Sequence, residues 1–261
     1  MALTHRALII YKKQNLQIFF FVHSGAAPLI PPDHMTAAET ASLLVRNEIL
    51  AGVIKPNSKL KVQHLARQYG VGTTPLREAL TQLAATGLVI QVGQRGFRVP
   101  GLSHAGWMDL IRTREILETE ALRLALENRS VDWEDSVVSC FHLFVREIER
   151  LFRGETDSIQ RYWSRHTEFH EAIIAACPLE NLKSLVSTLY TRMIPYRRLT
   201  FTDKYSKDRL IQAHERLMND VLLPSPSAIE TMREHIHANA EIIKQVLSSI
   251  ESAEASDGLQ R

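Results

Sequence analysis

Near the start of the chain, apolar residues recur at helical spacing in short runs, and the pattern then switches to alternation. Ala41, Val45 and Ile49 predict a helix over about Ala37 to Ala51, with those positions inward. Val62, Leu65, Ala66 and Tyr69 make one face of a second helix. Gly70 stands where a helix commonly ends, because glycine takes a left-handed conformation without steric cost. Thr74 reads as the cap of a third helix and Pro75 as its first residue, where no backbone donor is needed. Leu76, Ala79, Leu80 and Leu83 line its inner face, Arg77 points away, and Gly87 is the expected stop. Two short helices about a glycine-containing turn form the helix-turn-helix signature, whose second helix enters a DNA major groove. Leu88 to Val92 and Phe97 to Val99 then read as two strands about the turn Gly93-Gln94-Arg95-Gly96. A hairpin directly after a helix-turn-helix is a wing, and this one has a basic tip.

After Val99-Pro100-Gly101-Leu102 the character changes, and Pro-Gly marks a domain boundary. Helical segments then run at about 104–127, 131–152, 156–175, 180–200, 206–221 and 226–250, and no strand pattern is evident. Breaks fall at Asn128-Arg129, Gly154, Cys177-Pro178 and Leu223-Pro224-Ser225-Pro226. That suffices for an all-α bundle with its own core. The expected fold is mostly α: a winged helix-turn-helix over 35–101 and a helical domain over 102–252, with a polar tail over 253–261. Residues 1–34 do not share the patterning of the rest of the chain. Leu16 to Val22 is apolar after Lys12-Lys13, superficially like a secretion signal, but it is too short to span a membrane. Met35 leads straight into the first helix, so 1–34 is read as a disordered or non-native extension.

Composition adds constraints. At 45% hydrophobic and 23% charged, the 261-residue chain is ordinary for a soluble globular protein, expected in the cytoplasm with no membrane partner. A formal charge of only +2 means that any DNA affinity comes from a local patch. Arg46, Lys59, Lys61, Arg67, Arg77, Arg95 and Arg98 supply one. Arg77 and Arg95 are the expected phosphate contacts, with Thr73 and Thr74 at the groove and Gln63 and Gln94 as further candidates. Cys140 and Cys177 stand far apart, so reduced thiols are expected rather than a disulfide framework.

The helical half carries the histidines. His166 and His170 stand four apart and share a helix face, while His214 and His235 fall on later helices. Four imidazoles from three helices can hold a divalent metal inside a bundle, although a lone histidine is more often a surface or satisfied core residue. The run His166-Thr167-Glu168-Phe169-His170 is not a protease motif, since Glu168 lies two residues from each histidine and faces away. Arg192, Arg197 and Arg198, with Tyr190 and Tyr196, either line a ligand cavity or, as the favoured reading, form a solvated face with half-buried aromatics.

Several motifs are similar to those of a known family. Ile49-Leu50-Ala51-Gly52-Val53-Ile54-Lys55-Pro56-Asn57, Pro75-Leu76-Arg77-Glu78-Ala79-Leu80 and Gly96-Phe97-Arg98-Val99 resemble the winged-helix domain of GntR-family bacterial regulators. Two departures stand out. Asn57 replaces the usual glycine, a change asparagine tolerates at positive φ. Thr73 stands where the family usually has a DNA-contacting arginine. Further on, Arg114-Glu115-Ile116-Leu117-Glu118, Phe169-His170 and Met232-Arg233-Glu234-His235-Ile236 resemble the FCD effector domain of the FadR-type branch.

The resemblance implies metal ligation by His166, His170, His214 and His235, with His166 in place of the family's usual aspartate. Four neutral imidazoles leave the ion's charge uncompensated, which favours Zn²⁺ or Ni²⁺ over oxygen-seeking Mg²⁺ or Ca²⁺ and attracts an anion. A small organic or sugar acid is the implied effector. Arg114 is a candidate clamp for it, an intrahelical pair with Glu118 being the alternative. The implied protein is not an enzyme. It is a ligand-responsive regulator, a repressor in the more usual family outcome, that binds a near-palindromic operator in double-stranded DNA as a homodimer. A metal sensor without organic effector and a metal-dependent enzyme remain the alternatives.

Overall fold

The computed structural model describes residues 7–13, 16–22, 35–93, 96–155, 159–199, 206–223 and 227–258. They divide into two compact units, one ending at Gly101 and one beginning at Leu102. Within the segment read as a disordered or non-native extension, β1 (Ala7–Lys13) and β2 (Leu16–Val22) pair antiparallel; the rest of 1–34 lies outside the described residues.

The first unit is built on α1 (Ala37–Leu50), β3 (Lys59–Leu60), α2 (Val62–Tyr69), α3 (Thr73–Ala85), β4 (Ile90–Gln91) and β5 (Phe97–Arg98). Thr36 and Glu39 close a reciprocal capping box at the start of α1. Ala41, Val45, Leu76, Ala79 and Leu80 are fully buried where α1 packs on α3. Gly70 ends α2 at φ 65°, and Asn57 adopts φ 64°, the left-handed turn that its residue type permits.

The start of α3 departs from expectation. Gly72, not Thr74, is the cap residue, and Pro75 is the third helical residue rather than the first. The first turn has no intrahelical acceptors for its N–H groups, so a proline anywhere in it loses nothing. The small sheet has the order β3-β5-β4, with Leu60 opposite Phe97 and Gln91 opposite Phe97 on the other side. β3 escapes sequence reading because two residues carry no period.

The second unit is helical among the described residues: α4 (His104–Glu127), α5 (Val131–Phe152), α6 (Ile159–Ile173), α7 (Glu180–Arg197), α8 (Lys207–Leu222) and α9 (Ala228–Gly258). Ser103 and Ser130 cap α4 and α5. α4 packs on α9 and α7, α5 on α6 and α8, and α8 on α9. Two buried indoles fasten these layers: Trp107 Nε1 donates to the Ala240 carbonyl at 3.0 Å, and Trp133 Nε1 to the Ala172 carbonyl at 2.9 Å. The last helix runs through Gly258, past the point where the polar tail was expected to begin.

Candidate functional site

Helical spacing on α6 turns His166, Phe169 and His170 inward together, and His214 on α8 and His235 on α9 meet them there. All four histidines are buried, and one ring nitrogen of each lies within 4.8 Å of the others. Phe144 from α5 forms the apolar floor, its ring 4.8 Å from that of His214 and 5.4 Å from that of His166 between centroids. Glu168 faces out, where it accepts from Ser164 and pairs with Arg165, as the protease comparison anticipated.

Hydrogen bonds set which nitrogen of each ring is free. His214 Nδ1 donates to the Leu210 carbonyl at 2.7 Å, so its Nε2 carries a lone pair. That Nε2 is buried without a hydrogen-bond partner, and such a group costs about 1–3 kcal/mol when left so. His170 Nδ1 donates to Glu118 Oε1 at 3.0 Å, which likewise leaves Nε2 as acceptor. Arg114 also approaches His170 Nδ1, at 3.4 Å, but two donors cannot bond, and the shorter contact to a carboxylate prevails. His235 Nε2 lies 3.3 Å from His170 Nε2. Two nitrogens bound at about 2.0–2.1 Å on a tetrahedral ion stand about 3.4 Å apart, so this pair fits one edge of such a site. An orphaned buried lone pair, oriented imidazoles and this spacing all suit a borderline divalent metal.

Glu118 is the centre of the surroundings. It is fully buried on α4 and accepts from Arg114, from Tyr190 Oη at 2.5 Å and from His170. Burial opposes its ionisation, yet Arg114 and His170 outweigh that and hold the carboxyl well below the usual range. Arg114 is therefore bound to a carboxylate of its own helix, the alternative left open by the sequence. Arg197, Tyr190 and Tyr196 are buried, which corrects the expected solvated face. Arg197 Nη1 donates to His166 Nδ1 at 3.1 Å, and burial followed by the neighbouring charge of Arg114 lowers its pKa to about 10. Sequence reading missed Glu118 as the hub and Arg197 as a histidine partner. Only the Arg-x-x-Leu-Glu run hinted at the first.

Burial lowers the pKa of all four imidazoles, to about 4 at His170 and about 3 at His214. They stay neutral in the folded state while the unfolded chain takes up protons near the ordinary value of 6.5. Stability linked to them is thus complete above about pH 6.5 and is lost as pH falls toward 4, at up to about 1.4 kcal/mol per pH unit for each ring. Urea titrations of metal-free protein between pH 7.5 and 4.5 should show this decline. A flat profile would mean that the rings are hydrated.

On the first unit, Thr73, Thr74 and Arg77 are exposed along the first turns of α3, and Gln63 is exposed on α2. Gln94 and Arg95 lie outside the described residues. Arg98 is engaged with the Asn57 carbonyl at 3.0 Å.

Residues 37–99 match the family described as bacterial regulatory proteins, gntR family, and residues 109–238 match the FCD domain. The chain is 31% identical over 223 residues to the uncharacterized HTH-type transcriptional regulator BphR of Paraburkholderia xenovorans, covering 85% of this chain and 91% of that one. The chain belongs to the GntR family. Another relative within it is the HTH-type transcriptional repressor GlaR of Escherichia coli, 31% identical over 210 residues, or 78% of this chain and 94% of that one. The E. coli McbR/YncC structure shares the fold with a TM-score of 0.59 at 20% identity, covering 84% of this chain and 99% of that one. As a GntR regulator the chain acts on transcription through DNA and is not an enzyme. Among the described residues, no helix is long and apolar enough to cross a membrane.

Proposed function

We propose that this GntR regulator is a homodimeric, cytoplasmic repressor. In this reading its helical domain holds Zn²⁺ or Ni²⁺ and uses the ion to anchor a small organic or sugar acid that controls operator affinity. The observation that carries the metal reading is the buried, unpartnered Nε2 of His214 among three further inward imidazoles. The anionic effector is inferred from charge: four neutral ligands leave a divalent ion uncompensated, and Arg114 and Arg197 lie against His170 and His166. Arg114, paired with Glu118, serves as a clamp by sharing its guanidinium between that carboxylate and the ligand. Repression is supported by the name of one relative, GlaR. The effector must favour one DNA-binding arrangement of the dimer over the other, or it regulates nothing.

Thermal unfolding of the Zn²⁺-loaded protein against a panel of organic and sugar acids tests the effector reading, since a binder of the native state raises its stability. A panel without any shift, beside operator binding that responds to metal alone, would favour a metal sensor. On the DNA side, Thr73, Thr74, Arg77 and Gln63 are the proposed contacts, together with Gln94 and Arg95, which lie outside the described residues. Arg77→Ala should weaken binding to duplex fragments from the gene's own neighbourhood and reduce the log-log salt slope by about one unit. An unchanged slope in fluorescence anisotropy would remove Arg77 from the phosphate contacts.

A further inference from the structure

The four histidines are not equivalent. His170 and His214 give their Nδ1 protons to acceptors, Glu118 and the Leu210 carbonyl, and each is left with a lone pair on Nε2. His166 faces the opposite kind of partner. Arg197 Nη1 lies 3.1 Å from His166 Nδ1, and a guanidinium only donates. Nδ1 is therefore the acceptor, and the neutral ring carries its proton on Nε2.

In this state His166 has nothing to offer an ion: one nitrogen is occupied by a cation's N–H and the other is protonated. Ligation through Nδ1 requires Arg197 to leave that lone pair. Ligation through Nε2 requires the proton to move to Nδ1, which then faces Arg197 donor to donor. His235 poses the same proton question without the same lock. Its partner at Nε2 is the neutral imidazole of His170, whose Nε2 accepts, so His235 Nε2 donates in this state, and moving that proton to Nδ1 frees both Nε2 lone pairs together.

We propose that a metal ion in this pocket is held by His170, His214 and His235 alone, and that Arg197 keeps His166 out of its coordination shell. The proposal rests on the metal reading above and refines it. It leaves a coordination position open beside a guanidinium, the combination that a carboxylate bound to both metal and arginine uses.

The test is binding of Co²⁺ alone to the full chain, read by competition with a chromophoric chelator and by the visible spectrum. His166→Ala should change Co²⁺ affinity by less than about threefold, against the more than about 100-fold loss expected of a removed ligand in His170→Ala. Arg197→Met removes the donor and a nearby positive charge. It should tighten Co²⁺ by about tenfold or more and shift the visible bands as a fourth nitrogen enters. Adding His166→Ala to Arg197→Met should undo both changes.

The proposal is overturned if His166→Ala weakens Co²⁺ as much as His170→Ala does, or if Arg197→Met leaves the spectrum unaltered. Should Arg197→Met fail to fold, the comparison of His166→Ala with His170→Ala in the otherwise native chain decides alone. If Co²⁺ does not bind, or binds regardless of His170→Ala, the metal site itself is wrong and the lock falls with it.

Discussion

Replacing Glu118 by alanine should lower the unfolding free energy by about 3–5 kcal/mol, measured by urea denaturation of the metal-free protein. The carboxylate is fully buried and serves three donors at once: Arg114, Tyr190 and His170. Removing it strands a guanidinium that is itself only 3% exposed, together with a phenol and an imidazole N–H. The penalty is the unpaired charge rather than the value of the ion pair, and this has a checkable corollary. Arg114→Met combined with Glu118→Leu removes both charges and should recover most of the loss, because apolar replacements of similar volume are often neutral. A single-variant loss below about 1 kcal/mol would mean that water reaches Arg114, and the network would lose its role.

The second large effect is His214→Leu. Metal-dependent stabilisation should vanish, while metal-free stability should hold or rise. A saturating ion at a thousandfold excess over its Kd adds about 4 kcal/mol to a protein that binds it only when folded. The variant should forfeit that, read as the Tm difference with and without Zn²⁺. Metal-free protein should tolerate the change because the native Nε2 is buried without a partner, and an isosteric hydrocarbon ends that penalty. The lost Nδ1 bond costs little, since the Leu210 carbonyl lies one helical turn before His214, within α8. A strong loss of metal-free stability would show that His214 is a structural residue, and a surviving Zn²⁺ shift would place the ion elsewhere.

Much of the architecture is legible in the chain because period and turn chemistry are local. The face Val62, Leu65, Ala66 and Tyr69, ended by Gly70, fixes α2 without reference to distant residues. Likewise, the spacing of His166 and His170 places both on one face of α6. The start of α3 is misplaced by sequence reading because Gly72, Thr74 and Pro75 satisfy helix-start preferences almost equally, and the backbone at Gly72 makes the choice. The apolar and basic mixture around Tyr190 and Arg197 reads as surface because arginine is seldom found in a core.

Sequence by itself determined the helix-turn-helix, the wing, the helical second half and the four candidate ligands, since each rests on residues within a few positions of one another or on motif resemblance. Tertiary structure alone decided which nitrogen His166 and His170 present, that Glu118 is shared among three elements, and that Arg197 sits on His166. Those facts depend on side chains from α4, α6 and α7 meeting across up to 72 positions of chain. An imidazole's donor and acceptor nitrogens are set by the partners they meet, and the residue type alone does not specify them.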